Sequence, residues 1–223
     1  MTILITRPLA AAKRTEQAFQ LAGLKTWIDP VLTITPLPST IDSAAYDAII
    51  TTSTNGVESF AALTQHHDIP TFCAGAASAA IACELGFTSV FHPTAPGAKG
   101  LITLIKQSPF KRFAYIRGEV VKINIADALA NIEGIHIDTY ITYKTLPTTG
   151  WTDETIALFH AKKITAITFY SEHSARVTLD LLRKHNLSDY TPSVTALCLS
   201  EAIADVLKDF VWQAIKTEIS GMF

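Results

Sequence analysis

Ile137-Asp138-Thr139-Tyr140-Ile141-Thr142-Tyr143-Lys144-Thr145, followed by Leu146-Pro147, alternates β-branched and aromatic residues with polar ones. Such a run extends rather than coils, because branched and ring side chains pack well on a pleated surface. The chain holds an echo of it: Ile28-Asp29-Pro30-Val31-Leu32-Thr33-Ile34-Thr35, then Pro36-Leu37-Pro38. Both copies open on an aspartate and close on leucine with proline. Their aspartates stand 109 positions apart (138 − 29).

The rest of the chain repeats at nearly that offset. Ile3-Leu4-Ile5-Thr6-Arg7-Pro8 reads as a buried strand ending in arginine, then a helical run from Leu9 to Ala22 that stops at Gly23. Ala114-Tyr115-Ile116-Arg117-Gly118 reads the same way, with a helical run to Gly134. The strand Asp47 to Ser53 has its counterpart in Ile164 to Ser171, and Thr71 to Ser78 in Val194 to Ser200. The offset grows to 118 by Ser53 and Ser171 (171 − 53), as small loop insertions would make it. The chain is two similar halves. Trp27 to Thr35 reads as one strand, and Pro36 and Pro38 stiffen its exit.

Strand, turn, helix, strand, repeated without hairpin signals, predicts an α/β fold with parallel sheets flanked by helices. At 223 residues and 48% hydrophobic content, each half can bury its own core. The longest nearly apolar run, Phe72 to Cys83, is too short to span a bilayer. Met1 leads directly into a strand, so no signal peptide is expected, and three cysteines without C-x-x-C spacing fit a reducing, cytoplasmic setting. Net charge is −2, from 18 basic and 20 acidic residues, which is a poor footprint for nucleic acid. It leaves room for an anionic small molecule in a locally positive cleft.

In parallel sheets the ligand lies beyond the carboxyl ends of the strands. There the sequence places Arg7, Ser53, Gly75 with Ser78, Arg117-Gly118, Ser171 and Ser200. Each hydroxyl could simply cap the helix that follows it. Six such turns together favour a ligand rich in anions, because helix N-termini offer free N–H groups and partial positive charge. No G-x-G-x-x-G follows the first strand and no G-x-x-x-x-G-K-[ST] occurs, so nucleotide readings lose their support. His66-His67-Asp68 lacks the further ligands of a metal site and reads as a loop. Ser171-Glu172-His173-Ser174 lacks the G-x-S-x-G elbow of a hydrolase. Cys73, Cys83 and Cys198 sit in apolar runs and read as core. Tyr140 and Tyr143, with Thr142 between them, are read as facing one side of their strand. From there a phenol could reach a cleft.

Several of these segments, in this order, resemble the uroporphyrinogen-III synthase family: Ile5-Thr6-Arg7-Pro8, Pro30-Val31-Leu32, Ile49 to Val57, Gly75-x-x-Ser78-Ala79, Tyr115 to Glu119, Tyr140 to Tyr143 and Phe169-Tyr170-Ser171. The resemblance implies that the two Asp-led strands are bridges between domains. One domain would be residues 1–35 with 145–223 and the other 36–144, with the active site in the cleft between them. It implies cyclisation of hydroxymethylbilane, a linear tetrapyrrole, to uroporphyrinogen III with loss of water and inversion of the last ring, in haem biosynthesis. No metal or organic cofactor is expected. On the same ground Tyr143 is the candidate general acid. Arg7, Ser53, Ser78, Arg117, Gly118, Lys122, Ser171 and Ser200 are the candidate substrate contacts. A monomer is expected, with room for a transient contact with the upstream hydroxymethylbilane synthase. The family usually has a glycine and a threonine where this chain has Cys198 and Glu201, and often an arginine where it has Lys122. The competing reading is a two-domain protein that binds an anionic small molecule without chemistry.

Overall fold

The computed structural model describes residues 2–217; residue 1 and residues 218–223 lie outside the described part. In chain order the first strands are β1 (Thr2–Ile5), β2 (Thr26–Ile28), β3 (Leu32–Pro36), β4 (Ala48–Thr51), β5 (Thr71–Cys73) and β6 (Val90–Phe91). They are followed by β7 (Arg112–Gly118), β8 (His136–Pro147), β9 (Ile164–Phe169), β10 (Thr195–Cys198) and β11 (Ala214–Lys216). The helices are α1 (Leu9–Leu21), α2 (Thr54–Ala61), α3 (Ala76–Glu84), α4 (Ala98–Gln107), α5 (Ile125–Leu129), α6 (Asp153–His160), α7 (Glu172–Lys184) and α8 (Glu201–Val206). The chain divides into two compact units. One runs to Thr33 and resumes at Leu146; the other is Ile34–Thr145. Both crossings fall inside strands, β3 and β8.

The discontinuous unit carries a sheet in the order β11-β10-β9-β1-β2, every pairing parallel. Leu4, Ile167 and Phe169 face one core with Trp151, Phe159 and Leu182; Ile3, Ile5 and Ala166 face the other with Phe19 of α1. Alternate residues are thus apolar on both faces, as a parallel sheet covered on two sides requires. The continuous unit has the order β3-β8-β7-β4-β5-β6, with β8–β7, β7–β4, β4–β5 and β5–β6 parallel. Ile49, Ala114 and Ile116 pack beneath Val57 and Phe60 of α2 and Ala79 of α3, while Ile50, Phe113 and Tyr115 pack on Leu101, Ile105 and Leu129.

Three expectations need correction. The stretch from Trp27 to Thr35 is two strands, broken at Asp29-Pro30-Val31. Pro30 has no N–H for a ladder, and Asp29 is turned to other work. Its Oδ2 accepts from the Thr152 N–H (2.9 Å), the Thr152 hydroxyl (2.9 Å) and the Thr155 hydroxyl (2.5 Å) at the start of α6. The helical run read from Gly118 to Gly134 contains only the five-residue α5, which Asn124 caps. Cys83 is exposed: the covered face of α3 is Ser78, Ala79, Ile81 and Ala82, and Cys83 falls off it.

A fourth expectation holds for a reason the pattern did not contain. Residues three apart on a regular strand point to opposite faces. Here β8 pairs Tyr140 with Ile116, Ile141 with Arg117 and Tyr143 with Gly118, so one extra residue bulges out at Thr142. The insertion returns Tyr143 to the face of Tyr140.

Because Asp29 is buried and accepts from three donors, Asp29→Ala should lower the unfolding free energy by about 1.5–3 kcal/mol. Urea denaturation measures this, and an unchanged midpoint would mean the cap contributes nothing.

Candidate active site

The corner after β4 is built around Ser53. Its backbone is extended (φ −149°, ψ 157°), and its Oγ accepts from the Gly56 N–H at 3.0 Å, capping α2. Gly56 has no room for a side chain, since a Cβ there would lie 2.4 Å from Thr51 Oγ1. Capping therefore accounts for Ser53 in part. The same hydroxyl lies 2.8 Å from the Tyr143 phenol oxygen.

Tyr143 is delivered to that corner by the bulge in β8. Its ring lies flat against the end of β7, where a Cβ on Gly118 would sit 2.7 Å from Cε2 and 2.8 Å from Cζ. Gly118 is thus the seat of the tyrosine ring. The phenol is 7% exposed, and burial pushes its pKa above the ordinary value. Hydrogen bonds from Ser53 and from the Gly118 backbone act in the opposite direction and are the smaller effects. The phenol stays protonated at neutral pH. Because Ser53 already accepts from Gly56, its own proton is available for the Tyr143 oxygen, which leaves the phenol proton able to point elsewhere.

Tyr143 also lines a mostly apolar pocket of about 220 Å³, with Ile34, Leu37, Ser59, Leu63 and Thr142. Cavities that bury whole drug-sized ligands run to roughly 300–1,000 Å³, so this one has room for a single small ring. Two of its lining residues, Thr142 and Ser59, touch through their hydroxyls at 2.7 Å.

Arg117, next to the seat, is largely occupied. Its Nη1 donates to the Gly118 carbonyl (3.1 Å) and to the Glu119 carbonyl (2.9 Å), while its Nε is buried without a hydrogen-bond partner. Lys122 is exposed in the loop between β7 and α5, and Ser78 is buried as the third residue of α3. In this unit the structure gathers Ser53, Gly118 and Tyr143 into one contact set, with Arg117 beside them.

The other unit gathers a second set. The Arg7 guanidinium donates to the Thr15 hydroxyl at 2.9 Å and lies 3.9 Å above the centre of the Tyr170 ring. Ser171, the next residue, caps α7 by accepting from the Ser174 N–H at 3.1 Å. Ser200 holds the corresponding place before α8 but makes no side-chain cap. Neither Thr15 nor Tyr170 was a candidate contact on sequence grounds. An aromatic at a strand end reads as packing, and nothing in the spacing joins Thr15 to Arg7. Cys198 ends β10, and burial, with Glu201 second, pushes its thiol up to about 11, so it is no nucleophile at neutral pH. His67 of the His-His-Asp run stacks on Phe87 at 4.7 Å.

Among the described residues no cluster of three or more His, Cys, Asp or Glu side chains could hold a metal. None of the described helices is long and apolar enough to cross a membrane.

Comparison with known proteins then bears on this geometry. No curated protein matches the chain in sequence. A uroporphyrinogen-III synthetase from Helicobacter pylori superposes with a TM-score of 0.63 at 16% identity, over 99% of this chain and 95% of that one. A mutant uroporphyrinogen III synthase from the extremely thermophilic bacterium Thermus thermophilus gives 0.52 at 16% identity, over 97% and 92%. At such identities these likenesses speak to fold alone. The model of the uroporphyrinogen-III synthase HemD family matches residues 13–219, nearly the whole sequence. On that match, the chain belongs to the uroporphyrinogen-III synthase family.

Proposed function

We propose that this chain cyclises hydroxymethylbilane to uroporphyrinogen III, with loss of water and inversion of the terminal pyrrole ring. The observation that carries the activity is the family match over residues 13–219. The Ser53–Tyr143–Gly118 contact set supports the choice of catalytic group.

The chemistry asks for little push. The hydroxyl leaves from the hydroxymethyl group of an electron-rich pyrrole, and the cation left on the methylene carbon is stabilised by the ring nitrogen. The C–O bond breaks as the departing oxygen takes a proton, and water leaves. A neutral, buried phenol in contact with the Ser53 hydroxyl suits that step, and we assign the proton to Tyr143. The substituted carbon of the terminal ring must then attack the cation, giving a spiro intermediate. Which carbon attacks is decided by how the chain is folded, not by acidity. The pocket beside Tyr143 is of a size for one ring, which would leave most of the substrate outside it. We assign the substrate's acetates and propionates to Arg7, Arg117 and Lys122, to the Ser78 hydroxyl, and to the N-terminal N–H groups of the helices that follow Ser53, Gly75, Ser171 and Ser200. Action without a cofactor, as a cytoplasmic monomer that transiently meets hydroxymethylbilane synthase, belongs to the same proposal.

The test of the activity is to feed hydroxymethylbilane and resolve the oxidised products by chromatography. Type III isomer above the spontaneous type I background is the expected result; type I alone would overturn the assignment in favour of a binding protein.

Tyr143→Phe keeps the ring on Gly118 and removes the proton donor. General-acid assistance is typically worth about 10²–10⁴-fold. Since this leaving group departs readily, kcat should fall by the low end of that range or less, with type III still the product. Full activity would reduce Tyr143 to packing. A switch to type I would make it a positioning group instead.

Gly118→Ala forces the Tyr143 ring off its seat, and overpacking of this kind costs roughly 1–3 kcal/mol. Its kcat should fall at least as far as that of Tyr143→Phe, with a lower Tm. The raised phenol pKa also has a sign. Above about pH 10, the ordinary phenol value, the unfolded chain loses the Tyr143 proton before the folded one does. Stability from this group is therefore complete below that pH and lost as pH rises through the folded value. The wild type should lose stability there more steeply than Tyr143→Phe, which pH-dependent urea unfolding reads directly.

A further inference from the structure

Arg7 is the first residue past the end of β1 to carry a charge, and its guanidinium is held within one small assembly. Nη1 donates to Thr15 Oγ1 at 2.9 Å, and that hydroxyl in turn donates to the Ala11 carbonyl at 3.0 Å within α1. The guanidinium carbon stands 3.9 Å over the Tyr170 ring. Thr15 is buried and Tyr170 packs against the core that contains Ile5 and Phe19.

A long arginine loses rotamer freedom when a ligand immobilises it; a guanidinium already laid on an aromatic face has lost that freedom before the ligand arrives. Its planar fork is then held in one orientation, which is what two-point recognition of a carboxylate needs. Nothing in the reaction itself requires Tyr170, which touches Arg7 and not the reacting atoms in the scheme above.

We propose that Tyr170 is a positioning residue for substrate affinity: it pre-sets the Arg7 guanidinium, with Thr15 as the second anchor, to receive a carboxylate of the tetrapyrrole. This rests on the assignment of Arg7 as a carboxylate contact. The class of ligand is an alkyl carboxylate, and the effect belongs in KM rather than in kcat.

The experiment is a double-mutant cycle with hydroxymethylbilane as the substrate, using Tyr170→Phe, Tyr170→Leu, Arg7→Ala and the doubles. An arginine over an aromatic ring is worth about 0.5–2 kcal/mol, which converts to roughly 2–30-fold in KM. Tyr170→Leu should raise KM by that factor with kcat within about twofold, and Tyr170→Phe, which keeps the ring face, should recover most of the loss. In the Arg7→Ala background Tyr170→Leu should change KM no further. An equal rise in KM with Arg7 present or absent would mean that Tyr170 acts on its own and would overturn the proposal, as would an unchanged KM in a Tyr170→Leu protein of wild-type Tm.

Side-chain NMR of the Arg7 Nε–H separates the two layers of the argument. Should Arg7→Ala leave KM unchanged while Tyr170→Leu broadens the Arg7 signal, the carboxylate assignment fails and the positioning role falls with it. Should Arg7→Ala raise KM while Tyr170→Leu leaves both KM and the signal untouched, Arg7 binds carboxylate unaided and only the role of Tyr170 is lost.

Discussion

Tyr143 can rest against the end of β7 only because position 118 carries no side chain, and it can arrive there only because β8 inserts a residue at Thr142. The two conditions are independent. A glycine without the bulge would leave an empty seat with the tyrosine on the opposite face. A bulge without the glycine would drive the ring into a Cβ. Met together, they bring a phenol within 2.8 Å of a helix-capping serine, buried enough to keep its proton. The assignment of a proton donor in this unit depends on that contact.

The internal repeat kept its architecture and let its details diverge. Asp29 follows β2, which pairs with the strand leading to Arg7, and Asp138 stands in β8, which pairs with the strand that carries Arg117. Asp29 became the buried cap of α6, whereas Asp138 stays near the surface and accepts from the Tyr46 hydroxyl at 2.9 Å. The arginines diverged as well. Arg7 is laid on a tyrosine ring, and Arg117 is folded back on the carbonyls of its own turn. The two similar halves thus hold their equivalent arginines in different ways.

Strand positions, the helix-starting serines and the parallel sheets were legible, because they rest on period-two burial and on capping chemistry that short segments carry by themselves. The α5 region was not, since apolar residues at helical spacing do not reveal where Asn124 will start the helix. The face of Tyr143 was legible only by coincidence. A period-two pattern has no mark for an inserted residue, which shows itself in the register with the neighbouring strand. Gly118 was read as a ligand contact when its immediate job is steric. The Arg7–Thr15–Tyr170 assembly joins residues from α1 and from the ends of β1 and β9, and no local pattern could have paired them.

The discontinuous unit has a consequence for the order in which the protein can be made. β1 lies between β2 and β9, and its register with Ile164, Ala166 and Ile167 spans more than two-thirds of the chain. A ribosome therefore releases Ile3, Leu4 and Ile5 long before the strand that will cover them exists. The continuous unit, Ile34–Thr145, has all its partners in hand much earlier. Synthesis thus favours a nascent chain in which the inner unit closes first while the N-terminal segment waits, its apolar strand exposed to chaperones or to a neighbouring chain. Production of this fold is governed by that interval as well as by its final stability.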